Sequence, residues 1–109
     1  MTVKMLAERL SLKACCVSNY EREVTGCYTG DLLSHVMVKM PKGSAWVTVM
    51  TNINVVAVAL MTEASCVIVS ENAEIDDDTL RAANEKGINF FVSAMTSYEL
   101  CSKISEILV

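Results

Sequence analysis

From residue 45 onward the chain alternates short apolar blocks with segments at helical spacing, and this alternation is what most restricts the folds open to it. Ala45-Trp46-Val47-Thr48-Val49-Met50 is rich in β-forming residues and almost continuously apolar, the signature of a strand buried on both faces, and is expected to be the central one. Thr51-Asn52-Ile53-Asn54 offers capping side chains ahead of Val55–Met61, which is expected to be helical despite its β-branched residues. Ser65–Ser70 reads as a second buried strand. Asp76-Asp77-Asp78 then opens a helix that closes at Lys86-Gly87, with acids at the positive end of the helix dipole and Lys plus Gly at the other. Ile88–Val92 reads as the last strand. Thr96-x-x-Glu99 forms a capping box ahead of Tyr98, Leu100, Cys101, Ile104, Ile107 and Leu108. Three strand-helix units in a row, joined by connections of a few residues, predict parallel strands with right-handed crossovers. The expected fold class is α/β: a three-layer domain over residues 1–109, with a mostly parallel sheet of about five strands covered by helices on both faces.

The first forty residues are less regular. Thr2 can cap a helix whose Met5, Leu6 and Leu10 share one face, and Ser11-Leu12-Lys13 ends it. A short strand is expected near Ala14-Cys15-Cys16-Val17, where alternation would send the two cysteines to opposite faces. Arg22–Tyr28 is expected to be another strand. A helix then starts at Asp31-Leu32-Leu33, with Asp31 placed at its N-terminus, and runs to Met37 or Met40 before Pro41-Lys42-Gly43-Ser44 breaks the pattern.

Composition narrows the function classes. The chain has 109 residues, nine Lys+Arg against thirteen Asp+Glu, and a net charge of -4 with its basic residues scattered. That is not the electrostatic footprint of a nucleic-acid binder, nor of a protein that lies on a membrane surface. The longest apolar run, Ile53–Met61, is interrupted by Asn54 and is far shorter than a membrane span. Met1-Thr2-Val3-Lys4-Met5 lacks the apolar centre of a signal peptide, so a cytoplasmic location is expected. Cys15, Cys16, Cys27, Cys66 and Cys101 form an odd set without CxxC spacing, which suggests neither a disulfide framework nor a zinc site.

Neither GxxxxGK[ST] nor GxGxxG occurs, so the close backbone approach to phosphates needed by P-loop enzymes and dinucleotide dehydrogenases is missing. A nucleophilic cysteine needs a base, and Cys27 with His35 eight residues later is the best available pair; the competing reading is a small apolar side chain and a solvated histidine. Asp76-Asp77-Asp78 is the only acidic cluster, and helix capping explains it better than a metal does. Neither a metal nor a cofactor is expected. What remains is polar residues at the carboxyl ends of the strands, where open α/β sheets hold ligands: Gly30 and Asp31; Thr51, Asn52 and Asn54; Ser70 with Glu71 and Asn72; Ser93 with Thr96. Capping competes with ligand contact at each. The Thr51–Asn54 loop stands out because it carries three polar side chains where one cap would suffice.

Thr25-Gly26-Cys27-Tyr28-Thr29-Gly30-Asp31-Leu32-Leu33-Ser34-His35-Val36-Met37 and Ala45–Ala59, together with Gly87-Ile88-Asn89 and Ser97-Tyr98-Glu99-Leu100, resemble the DRTGG domain family over nearly the whole chain. Members of that family stand alone or serve as regulatory segments of CBS-containing pyrophosphatases and phosphotransacetylase-like proteins. They are similar to the N-terminal domain of HPr kinase/phosphorylase. The resemblance implies an α/β fold, dimer formation and regulation in place of catalysis, because the kinase activity resides in a separate P-loop domain. The literal Asp-Arg-Thr-Gly-Gly string is absent, its nearest counterparts being Arg22 and Thr25-Gly26-Cys27. The function expected from all of this is a non-catalytic, homodimeric regulatory domain that binds a small, nucleotide-like ligand or a protein partner through Gly30, Asp31, Thr51, Asn52, Asn54, Ser70 and Ser93. The alternatives are an interaction subunit of a metabolic or redox complex, or a small enzyme using Cys27 and His35.

Overall fold

A computed structural model describes residues 1–108; Val109, the last residue of the expected domain span, lies outside the described residues. Five strands, β1 (Lys13–Cys16), β2 (Gly26–Thr29), β3 (Ser44–Thr48), β4 (Cys66–Val69) and β5 (Phe90–Val92), form one sheet in the order β1-β5-β4-β3-β2. β2 to β5 are parallel neighbours, and β1 joins β5 antiparallel. The α/β class and the mostly parallel sheet are as the alternation predicts. β4, not β3, is the middle strand, because β2 is the only strand beyond β3 while β5 and β1 both lie on the other side of β4.

Successive residues of the inner strands feed two separate cores, which is why these strands are apolar without interruption. Trp46, Val67, Val69 and Phe90 pack with helices α2 (Leu33–Lys39), α3 (Asn54–Thr62) and α4 (Asp77–Lys86) on one face. Ala45, Val47, Cys66, Ile68 and Phe91 pack with α1 (Val3–Leu10) and α5 (Ser97–Ile107) on the other. Helix α3 settles the ambiguity of its apolar run. Its valines each cost up to about 0.7 kcal/mol in helix propensity relative to alanine. Burying Val55, Val56 and Val58 returns roughly 1.5–3 kcal/mol per side chain, so packing decides the conformation.

The N-terminal third departs most from expectation. Val3, Leu6, Ala7 and Leu10 form the buried face of α1, and Met5 is exposed, since a stripe at positions 3, 6, 7 and 10 leaves residue 5 on the far side. Only Gly26–Tyr28 of the expected Arg22–Tyr28 strand pairs with β3, and the pairing extends one residue beyond it to Thr29. Residues 22–24 instead run beside the start of α1, with Thr2 bridging Glu23, Val3 N–H donating to Arg22 O and Val24 N–H to Met1 O, while Thr25 N–H already donates to Gly43 O ahead of β3. A register shift between Ala14 and Cys16 breaks alternation in β1, so Cys15 and Cys16 are both half-buried against the same core, not on opposite faces.

Candidate functional site

The carboxyl ends of the four parallel strands point to one edge of the molecule, and most of the polar residues expected there serve the fold. Asp31 was placed by its sequence position at the start of α2, yet the N-cap is Leu32 and lacks a side-chain cap. The Asp31 carboxylate reaches across to β3 instead. There it accepts hydrogen bonds from the Thr48 hydroxyl at 2.8 Å and the Val49 N–H at 2.9 Å, pinning the β2–α2 turn to the end of the neighbouring strand. Gly30 is held on both sides: its N–H donates to Val47 O at 3.3 Å and its carbonyl accepts from Trp46 Nε1 at 3.0 Å. A Cβ there would meet the Tyr28 ring at 3.0 Å, so a larger residue would require that ring to shift by a few tenths of an ångström.

Asn52 Oδ1 accepts the Asn54 N–H at 2.9 Å, an Asx turn that starts α3 although the formal N-cap is Ile53. The Thr51 carbonyl accepts from the Thr79 hydroxyl at 3.4 Å, which joins this loop to α4. The Asn54 side chain is exposed and has no hydrogen-bond partner among the described residues. Ser70, fully buried, shares a 2.8 Å hydroxyl–hydroxyl hydrogen bond with Ser97 at the start of α5. Ser93 Oγ accepts the Met95 N–H at 3.1 Å, and its carbonyl accepts the Asn72 N–H at 2.8 Å. Glu71 and Asn72 both take left-handed backbone conformations, with φ of 66° and 53°. Asp76 caps α4 by accepting from Thr79; the Thr79 N–H, then its hydroxyl, hold the carboxyl below its usual pKa.

The connections leaving β4 and β5 part company. After β4 the chain turns to α4 on one face of the sheet, and after β5 it turns to α5 on the other. A cavity of about 550 Å³ opens at this corner, walled by Lys13 and Cys15 of β1, Asn72 and Ile75 of the β4–α4 connection, Leu80 of α4 and Val92 of β5. Asn72 is among the polar residues expected at the end of β4, but Lys13 and Cys15 escape a reading by strand ends because β1 runs antiparallel, which brings its first residue to the edge where the other strands finish. None of Gly30, Asp31, Thr51, Asn52, Asn54, Ser70 or Ser93 lines this cavity, although Ser93 directly follows Val92.

Cys27 and His35 are not brought together. Cys27 faces α5 with its sulfur 4.0 Å from that of Cys101, whereas His35 is exposed on α2 on the opposite side of the sheet. Burial of the thiol, and next the adjacent Cys101, push the Cys27 pKa up to about 12, the reverse of what a nucleophile requires. Among the described residues no group of three or more His, Cys, Asp or Glu side chains is arranged to hold a metal, and no helix is long and apolar enough to cross a membrane.

Against known families, residues 50–108 match the model described as the HPr serine kinase N terminus. The chain belongs to the HPr serine kinase N-terminal family. The match runs from just after β3 through α5 and includes Asn72, Ile75, Leu80 and Val92 of the cavity wall, but not Lys13 or Cys15. As a DRTGG-type member, the domain is also similar in fold to the crystal structure of the CBS and DRTGG domains of the regulatory region of Clostridium perfringens pyrophosphatase complexed with activator, diadenosine tetraphosphate. That similarity has a TM-score of 0.71 at 10% sequence identity and covers 93% of this chain and 44% of that one. This family member therefore spans less than half the length of the solved structure. None of the curated proteins matches it.

Proposed function

We propose that this DRTGG-type domain is a non-catalytic, cytoplasmic regulatory module that works as a homodimer and binds a small nucleotide-like molecule at the carboxyl edge of its sheet. The observation that carries the reading is the 550 Å³ cavity at the carboxyl end of β5, between β5 with its neighbour β1 and the connection from β4 to α4, beside the place where successive helices leave for opposite faces. Open α/β sheets hold ligands at such a switch, and the volume suits a small molecule. Ile75, Leu80 and Val92 offer apolar wall for a heterocyclic ring, Asn72 an amide, and Lys13 one cation for a phosphate. Ser70 and Ser93 stand behind this corner, while Thr51, Asn52 and Asn54, then Gly30 and Asp31, continue the ligand edge toward β2. The bound diadenosine tetraphosphate of the pyrophosphatase regulatory region supports a nucleotide as the ligand class.

The test is a thermal-shift panel of adenine and guanine nucleotides, dinucleoside polyphosphates and acyl phosphates. A ligand at 100 times its dissociation constant adds about 2.7 kcal/mol of stability. Lys13→Glu, at an exposed position, is expected to weaken a nucleotide by about tenfold or more while leaving the melting temperature of the free domain unchanged. Asn54→Ala, outside the cavity, is expected to change stability by less than about 1 kcal/mol and to leave the shift of a cavity-bound ligand in place. A shift lost in Asn54→Ala but kept in Lys13→Glu moves the ligand to the α3 end of the edge. A flat panel sinks the small-molecule reading in favour of a protein partner.

A further inference from the structure

The carboxyl edge of the sheet holds very little of the positive charge that phosphates need. Its four connections, residues 30–32 after β2, 49–53 after β3, 70–76 after β4 and 93–96 after β5, contain no Lys, Arg or His. Between Lys42 and Arg81 the chain has none at all. The same connections carry Asp31, Glu71, Glu74 and Asp76. Glu74 lines the 550 Å³ cavity, and Lys13 of β1 is the one cation in its lining. Arg81, next to Leu80 on α4, is already paired with Asp78 at 3.0 Å.

Backbone N–H groups are the other means of holding a phosphate chain, above all where successive residues turn left-handed. Glu71 and Asn72 do so, but their N–H groups already donate to Met95 O at 2.9 Å and Ser93 O at 2.8 Å. On the facing connection, Ser93 N–H donates to Val69 O at 2.9 Å and Met95 N–H to Ser93 Oγ at 3.1 Å. One phosphate can be matched by the Lys13 ammonium in a charge-assisted hydrogen bond. A second and third would find no further cation in the lining and would face Glu74, with Glu71 behind it, and like charges brought together cost affinity. We propose that the cavity selects a nucleotide with a single phosphate. The base lies against Ile75, Leu80 and Val92, the phosphate sits on Lys13, and Glu74 turns longer phosphate chains away, so attraction and repulsion set the specificity together. The inference rests on the nucleotide reading above and narrows it to nucleoside monophosphates.

The experiment is isothermal titration calorimetry on the full chain, with and without magnesium. The probes are the 5′-monophosphates of adenosine, guanosine, cytidine and uridine, the parent nucleosides, the matching triphosphates and diadenosine tetraphosphate. At least one monophosphate is expected to bind about tenfold or more tightly than both its nucleoside and its triphosphate. Lys13→Ala is expected to lower that monophosphate to the affinity of its nucleoside. Glu74→Lys, at an exposed position, is expected to raise the affinity of the triphosphate about tenfold and so to remove the preference, with circular dichroism confirming that both variants fold. A triphosphate or diadenosine tetraphosphate that binds as tightly as the monophosphate, in either magnesium condition, overturns the single-phosphate inference and leaves the nucleotide reading standing. A triphosphate affinity indifferent to Glu74→Lys overturns the part given to Glu74. Absence of binding by every compound overturns the nucleotide reading and the inference with it.

Discussion

Cys27 shows how a residue type that suggests chemistry is disarmed by its setting. It sits on an edge strand, flanked by Gly26, and the residue as a whole is exposed, but its sulfur lies against Cys101 and shares that side of the sheet with the buried Cys66. With a pKa pushed up to about 12, almost none of it is thiolate at neutral pH. Iodoacetamide labelling of Cys27, followed by peptide mass spectrometry, is therefore expected to be negligible from pH 6 to pH 8 and to rise only in strongly alkaline solution. Ready labelling at pH 6 would revive the nucleophile. Asp31 makes the complementary point, since one oxygen of its carboxylate, Oδ1, accepts from both Thr48 and Val49 in joining two strand ends.

At the level of elements, Asn89 at the entrance to β5 ties three segments together. Its Oδ1 accepts from Ser18 N–H at 2.8 Å and Asn19 N–H at 2.9 Å, and its Nδ2 donates to Asn19 O at 2.9 Å and Ser65 O at 3.0 Å. Removing the side chain leaves the buried Ser65 carbonyl and the backbone groups of Ser18 and Asn19 without their partner at once. Asn89→Ala is expected to cost about 3 kcal/mol in urea unfolding. A loss below about 1 kcal/mol would mean that water replaces the amide there. Patterns with one period were legible in the sequence: the alternation after residue 45, the capping box of Thr96 and Glu99, and the Asp76 cap all appear as expected. The residues that went astray depend on partners distant in the chain. Arg22–Val24 is drawn to the start of α1, the β1 shift is imposed by β5, and Asp31 is claimed by β3. The corner cavity was hidden for the same reason, since nothing local to Lys13 announces that it ends up beside Val92.

Across the molecule, the buried thiols couple stability to alkaline pH. Burial also pushes the Cys66 pKa up to about 12, so the folded state keeps protons on Cys66 and Cys27 that the unfolded chain releases near pH 9. Stability from this source is complete below pH 9 and is lost as pH rises toward 12. Urea midpoints are expected to fall over that window, and less steeply in Cys66→Ala; equal slopes would remove the thiols as the cause. Trp46, the single tryptophan and fully buried, reports the transition by fluorescence. The position of β1 carries a consequence for how the sheet is assembled. Strands β2 to β4 each pair with the next strand to form, but β1, the earliest in the chain, waits for β5, the latest. Closing that long loop costs entropy before any contact repays it. The growing chain therefore holds its first strand unpaired until its last one is made, and the amides of Lys13–Cys16 should be the last in the sheet to gain protection from hydrogen exchange during refolding.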